Sequence, residues 1–217
     1  MAWKINKKII GYGLCIMPLW LSGCGSVQIH DSTQHQVINL STTDLRTYGL
    51  AFLTPSTPTG QEEDKQALAL GFAEVLRELR PEVCFVSLPE ALGSINRSSF
   101  SEAYRNMYEE YRNTGILKKE IINKIGAELN ARYLLQLNLA NFKQETNNRF
   151  GLLGYRLIDT KMANIRLFVQ IWDAQTGNIA FEAIQELNYS DDTMSDRPIS
   201  FRQIVEETAR RVISRLP

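Results

Sequence analysis

The chain has 217 residues, with 24 Lys and Arg against 24 Asp and Glu, and 44% of it is hydrophobic. That balance excludes the low-hydrophobicity, high-charge signature of a disordered chain. It also offers no basic excess to hold nucleic acid. The length predicts one folded domain with a real core.

The first residues are written for export. Lys4, Lys7 and Lys8 precede an apolar run from Ile9 to Leu21, the charged-then-apolar order of a secretory signal. The run is short for a membrane span and Pro18 interrupts it, so cleavage is expected. The run ends in Leu21-Ser22-Gly23-Cys24, which resembles the bacterial lipobox. The resemblance implies that the Cys24 thiol receives a diacylglycerol and that Cys24 becomes the new N-terminus. The alternative is an ordinary signal-peptidase cut beside an incidental thiol, for which Leu21 fits poorly three positions before a cut at Gly23. Gly25 and Ser26 lack the aspartate that resembles an inner-membrane retention signal, so the expected address is the periplasmic face of the outer membrane. Removing residues 1–23 takes away three lysines and no acid, so 21 basic residues face 24 acidic ones and the net charge becomes −3.

Residues 24–45 are polar and without period, and they read as the lipidated N-terminus and a flexible tether. Both histidines of the chain, His30 and His35, fall in it and are expected to be solvated. Residues 46–217 form the predicted domain. Tyr48 to Leu53 is a short strand candidate ended by Pro55, Pro58 and Gly60. Glu62 to Leu79 carries Leu68, Phe72, Val75, Leu76 and Leu79 at helical spacing until Pro81 stops it. Val83 to Ser87 is a second strand, within which Cys84 is expected to be a buried, inert thiol. An intermolecular disulfide is its functional alternative.

Phe100, Ala103, Tyr104, Met107, Tyr108 and Tyr111 mark a helix that Gly115 ends, and Leu117, Ile121, Ile122, Ile125 and Leu129 mark another. Tyr104, Tyr108 and Tyr111 are either packing against the sheet or a partner surface, since tyrosine combines an apolar ring with a wettable hydroxyl. Three strand candidates follow: Tyr133 to Phe142, Ala163 to Trp172 with Ile165, Leu167, Val169 and Ile171 on one face, and Ile179 to Tyr189. Asp173 to Asn178 joins the last two as a hairpin turn, with Gly177 at the position needing positive φ. Residues 143–161 are an insert, read as an exposed loop over the sheet. Its Phe150, Leu152, Leu153 and Tyr155 are the candidates for a partner or membrane contact. A closing helix carries Phe201, Ile204, Val205, Thr208, Val212 and Leu216. The predicted class is α+β, an α/β sandwich with a mixed sheet of about five strands in the order β-α-β-α-α-β-β-β-α.

The run Ile125 to Leu135, with Ala131-Arg132-Tyr133-Leu134-Leu135 at the step from helix to strand, and Asp173-Ala174-Gln175-Thr176-Gly177 between two strands resemble one family. It is the group of bacterial periplasmic lipoproteins that includes the curli secretion lipoprotein, the amino-terminal domain of TolB, PelC and LpoB. The resemblance spans roughly residues 46–217 and rests on structural motifs, so it implies fold more than function.

The domain contains no histidine to serve as a base, and no phosphate loop, dinucleotide fingerprint or metalloprotease motif. Asp191, Asp192 and Asp196 lack the spacing of a calcium loop and read as a solvated turn. The expected function is therefore non-enzymatic and without metal or cofactor: an anchored component or assembly factor of an envelope machine, working by protein contacts with a partner. The alternative is a ring-forming subunit of an outer-membrane secretion or export channel. A glycan hydrolase using two carboxylates ranks third.

Overall fold

The computed structural model describes residues 27–152, 155–193 and 198–217, and at 148–152 and 155–158 the backbone alone. The elements, in chain order, are β1 (Val27–Val37), α1 (Thr42–Tyr48), β2 (Leu50–Phe52), α2 (Glu62–Leu79), β3 (Phe85–Val86) and α3 (Leu88–Arg97). Then come α4 (Ser101–Thr114), α5 (Lys119–Glu128), β4 (Tyr133–Leu152), β5 (Tyr155–Asp173), β6 (Ile179–Thr193) and α6 (Phe201–Ile213). The strands form one mixed sheet in the order β1-β6-β5-β4-β2-β3, with β2 parallel to both neighbours and every other pair antiparallel. This is the α+β class that the alternating pattern predicts.

Two cores lie on opposite faces of the sheet. β2 and the residue after it serve both: Leu50 and Phe52 enter one, Ala51 and the following Leu53 the other, as befits a parallel strand covered on both sides. The larger core takes Ile165, Leu167, Val169 and Ile171 of β5 and packs them under α2 and α6 through Phe72, Leu76, Ile204 and Val205. These two helices approach closely at Gly71, where a Cβ would stand 2.8 Å from Val205 Cγ1. The smaller core joins α3, α4 and α5 to the start of β4 and the end of β5 through Ile95, Met107, Ile122, Leu134 and Trp172.

The predicted helix over 62–79 and the hairpin turn after Asp173 have the boundaries read from the sequence, and Gly177 takes φ 79°. Other expectations are corrected. The polar stretch read as a tether is the edge strand β1 followed by the short helix α1. β1 has almost no buried side chains, so no apolar period announces it. It is held by its ladder to β6 and by Asp31, whose Oδ2 lies 3.1 Å from Arg211 Nε on α6. The sheet consequently has six strands rather than about five. Helix α3, absent from the expected order, starts at a capping box in which Ser87 and Glu90 bond reciprocally.

The insert at 143–161 is not a loop over the sheet. β4 and β5 continue through it as paired strands of 20 and 19 residues, with Leu152 opposite Tyr155 at the far end. Cys84 is exposed rather than buried, because the neighbouring strand has shrunk to two residues at the sheet edge. Its carbonyl accepts the Leu50 N–H at 3.0 Å. Among the described residues, no helix is long and apolar enough to cross a membrane.

Candidate interaction site

The tyrosine stripe does not form a partner surface. Tyr104 and Tyr111 are 8% and 4% exposed, and their rings fill the smaller core beneath α4. Each hydroxyl is used inside the protein. Tyr104 Oη accepts the Thr54 N–H at 3.0 Å and shares a proton with Thr54 Oγ1 at 2.8 Å. Tyr111 donates to Gln170 Oε1 at 3.0 Å, and Tyr108, half-buried, donates to the Pro55 carbonyl. Burial pushes the Tyr111 hydroxyl up to about 12, so it stays a donor at any physiological pH. A buried tyrosine needs such partners, and the polar sheet residues Gln136 and Gln170 are there to complete this network.

At the end of the sheet where β2 and β4 begin, a cleft of about 470 Å³ opens beside Arg46, Tyr48, Cys84, Asn123, Arg132 and Gln175. Its strongest charge is already committed. Arg132 Nη2 donates to Asp173 Oδ2 at 2.7 Å and Nε to Oδ1 at 3.2 Å, while the guanidinium lies over the Tyr48 and Tyr133 rings at 5.0 and 5.4 Å. Asp173 also receives the Gln175 N–H at 2.9 Å. Burial works against its charge, yet Arg132 and the turn amides outweigh that and hold the carboxyl below the ordinary carboxylate range. The pair ties the helix-to-strand step at Arg132 to the hairpin after β5. The two sequence motifs of the family resemblance thus meet as a structural lock, with no nucleophile and base within it.

Among the described residues, nothing covers one face of the opposite half of the sheet. The helices α3, α4 and α5 cover only its first part, and beyond them β4, β5 and β6 carry an amide row. Asn141 Nδ2 donates to Asn164 Oδ1 at 2.8 Å, and Asn164 Nδ2 to Asn188 Oδ1 at 2.6 Å, with His30 opposite Asn188 on β1. Beside this row Arg166 pairs with Glu186 at 3.1 Å, and Phe168 and Ile184 are half-buried. A recess of about 560 Å³ lies over the amide row, lined also by Lys143 and Tyr189. Among the described residues, no group of three or more His, Cys, Asp or Glu could hold a metal ion. Asp192 Oδ1 accepts the Thr160 hydroxyl at 2.6 Å, and Asp196 lies outside the described residues.

This open face runs directly into the β4–β5 hairpin. β6 pairs with β5 as far as Thr193 opposite Asp159, and the hairpin continues past that pair to Leu152 and Tyr155. The backbone places Phe150 opposite Ile158 and Leu152 opposite Tyr155; the side chains of Phe150, Leu152 and Tyr155 lie outside the described residues, as do Leu153 and the proposed lipidation residue Cys24 altogether. The open amide row leaves little trace in the sequence because its members sit on three strands; the alternation of polar residues with the Ile165 to Ile171 stripe is its local signal.

No family model and no curated protein matches the chain. Solved structures do. The PelC dodecamer from Paraburkholderia phytofirmans is similar over 88% of this chain and 97% of its own, at 12% identity and a TM-score of 0.41. Lipoprotein GNA1162 from Neisseria meningitidis is similar over 76% of this chain and 95% of its own, at 9% identity and a TM-score of 0.39. The C-terminal domain of LpoB from Salmonella enterica covers 64% of this chain and 82% of its own, at 12% identity and a TM-score of 0.32. Scores this low carry no argument about activity or partners.

Proposed function

We propose that this chain is an outer-membrane lipoprotein, anchored at Cys24 on the periplasmic face, that acts without chemistry of its own as a component or assembly factor of an envelope machine. The observation that carries the reading is the uncovered β4-β5-β6-β1 face and its continuation into the hairpin arm. An open sheet face of this extent, with a row of amides bonded across the strands and half-buried Phe168 and Ile184 beside them, suits a protein partner. The anchor would confine the domain to a thin layer and raise its effective concentration at a partner there.

The second reading, a ring-forming export subunit, is favoured by one feature. β1 is an open edge, and beyond Leu139 no described strand pairs with the outer edge of β4, so β1 of one copy could extend β4 of the next. Such a head-to-tail contact closes into a ring or grows into a fibre. The two readings separate on mass. Native lipoprotein extracted in detergent is expected to carry acyl chains on the Cys24 peptide, and the acyl-less chain is expected to run as a monomer. A large homomeric ring would establish the second reading instead.

A further inference from the structure

We infer that the outer edge of β1 is a strand-docking site, at which an extended segment of the envelope protein seated on the open face pairs antiparallel as a seventh strand of the six-stranded sheet. The inference rests on the reading of that face as a partner surface and names how the partner is held.

The hydrogen-bond ladder fixes which backbone groups face out. Ile38 donates its N–H to the Ala180 carbonyl at 3.0 Å, one step past the Val37–Phe181 pair, so the even residues of β1 exchange bonds with β6. The far side of the sheet has the matching phase. Leu53 and Ser56 donate to the Leu135 and Leu137 carbonyls from the β2 side, and Leu135 stands in one row with Ile171, Phe181 and Val37. Each residue of an antiparallel sheet bonds to one side only, so this row bonds β5 to β6 and leaves Val37 facing out. Val27, Ile29, Asp31, Thr33, His35 and Val37 therefore turn N–H and C=O away from the sheet, and among the described residues no strand meets them. The complement of such a row of alternating donors and acceptors is another extended backbone.

Sheet edges are ordinarily guarded by shortness, bulges, proline or lysine. β3, at the other edge, is two residues long, and the outer side of β4 past Leu139 breaks register and carries Lys143. β1 has none of these guards. Its 11 residues pair with β6 without a register shift and include no Pro, Gly, Lys or Arg, and its one acid, Asp31, is held by Arg211 at 3.1 Å. The edge also defines what fits it. On the α6 side an added strand meets Ile29, which packs on the larger core, and Val27 and Val37, which are 50% and 43% exposed, so apolar or β-branched residues suit that side. On the open face it meets Gln28, His30, Ser32, Gln34 and Gln36, and the amide row already reaches β1 at the Asn188–His30 pair, so neutral polar residues suit that side. A second copy would meet this edge along one strand only, and a contact of that kind falls below the low end of stable pairs, about 1,200 Å². A segment of the partner on the open face instead continues around the edge from a surface it already holds.

Photo-crosslinking and amide exchange test this. The acylated chain with a photoreactive residue at Ser32 is irradiated in intact envelopes, with and without His35→Pro. That substitution removes an N–H that faces out and no bond to β6, so the edge loses a donor while the ladder stays whole. The expected result is an adduct from Ser32 that maps to one segment of one other protein and falls about fivefold or more with His35→Pro, at an unchanged thermal midpoint. No adduct from Ser32, adducts only between copies of this chain, or an adduct that His35→Pro leaves unchanged overturns the inference. The purified acylated chain in detergent is then mixed with a capped peptide of the length of β1 that alternates Val with Thr and carries Lys where it meets Asp31. The peptide is expected to slow exchange at the Ile29, Asp31, Thr33 and His35 amides by about tenfold and to leave the even-numbered amides, already bonded to β6, as they were. Unchanged exchange at the odd-numbered amides overturns the edge, even where His35→Pro fails to fold. An adduct from Asn164 without one from Ser32 keeps the partner on the open face and removes the strand. An adduct from Ser32 without one from Asn164 keeps the strand and removes the reading of the open face.

Discussion

At the scale of single residues, the domain spends its conspicuous polar side chains on holding itself together. Asp173 is the clearest case: its side chain is 3% exposed, it bonds Arg132 through both oxygens and it caps the turn that follows. Asp173→Ala strands a partly buried guanidinium, and a loss of about 2–4 kcal/mol is expected in chemical denaturation. The pH dependence has a definite sign. The folded carboxyl titrates below the ordinary aspartate value of about 3.9, so its stabilisation is fully present above that value and fades as pH falls through the lower folded one. The stability gap between the parent and Asp173→Asn is thus expected to be constant near neutrality and to narrow in acid below about pH 4; a gap that widens there would contradict the pairing. Tyr104 makes the same point without charge. Tyr104→Phe leaves the Thr54 N–H without its acceptor, for an expected cost of about 1–3 kcal/mol, with no effect on partner binding. The sequence left the tyrosines open between core and surface because a helical stripe looks the same in both roles. Their hydroxyl partners, Thr54, Pro55 and Gln170, come from elements far away in the chain.

At the scale of elements, legibility follows apolar period. Helices α2, α4, α5 and α6, the run of β5 through Ile165 to Ile171 and the Asp173 turn could be read because burial on one face leaves a periodic trace. β1 could not, since an edge strand held by backbone pairing leaves none. Helix α3 was legible in principle: Ser87 with Glu90 three positions later is a starting signal. The extension of β4 and β5 was hidden by Lys143 to Asn148, which are polar on both faces, and by Gly151 and Gly154, which lower strand propensity. Two outcomes belong here. Gly71→Leu is expected to cost about 1–3 kcal/mol by forcing α2 from α6 at Val205. Amide exchange is expected to be faster along β1 than along β5, because β1 lies at the edge with little buried apolar surface; equal protection would mean that β1 is buried by something further.

For the whole molecule, the two faces of the sheet are unequally covered. One face of the sheet is closed by α2 and α6, part of the other by α3 to α5, and the remaining part is open and ends in the hairpin arm. With β1 beginning three residues after Cys24, a lipid anchor would set this open face beside the membrane rather than on a long tether. Position and surface then act together, since the anchor sets where the face stands and the face sets what it can hold. Photo-crosslinking in intact envelopes tests that claim most directly, with a photoreactive residue at Asn164 on the open face of the acylated protein and, as control, at Leu70 on the outside of α2. The account predicts a discrete adduct with one other envelope protein from Asn164 and none from Leu70. Adducts from Leu70 alone, or only adducts between copies of this chain, would contradict it.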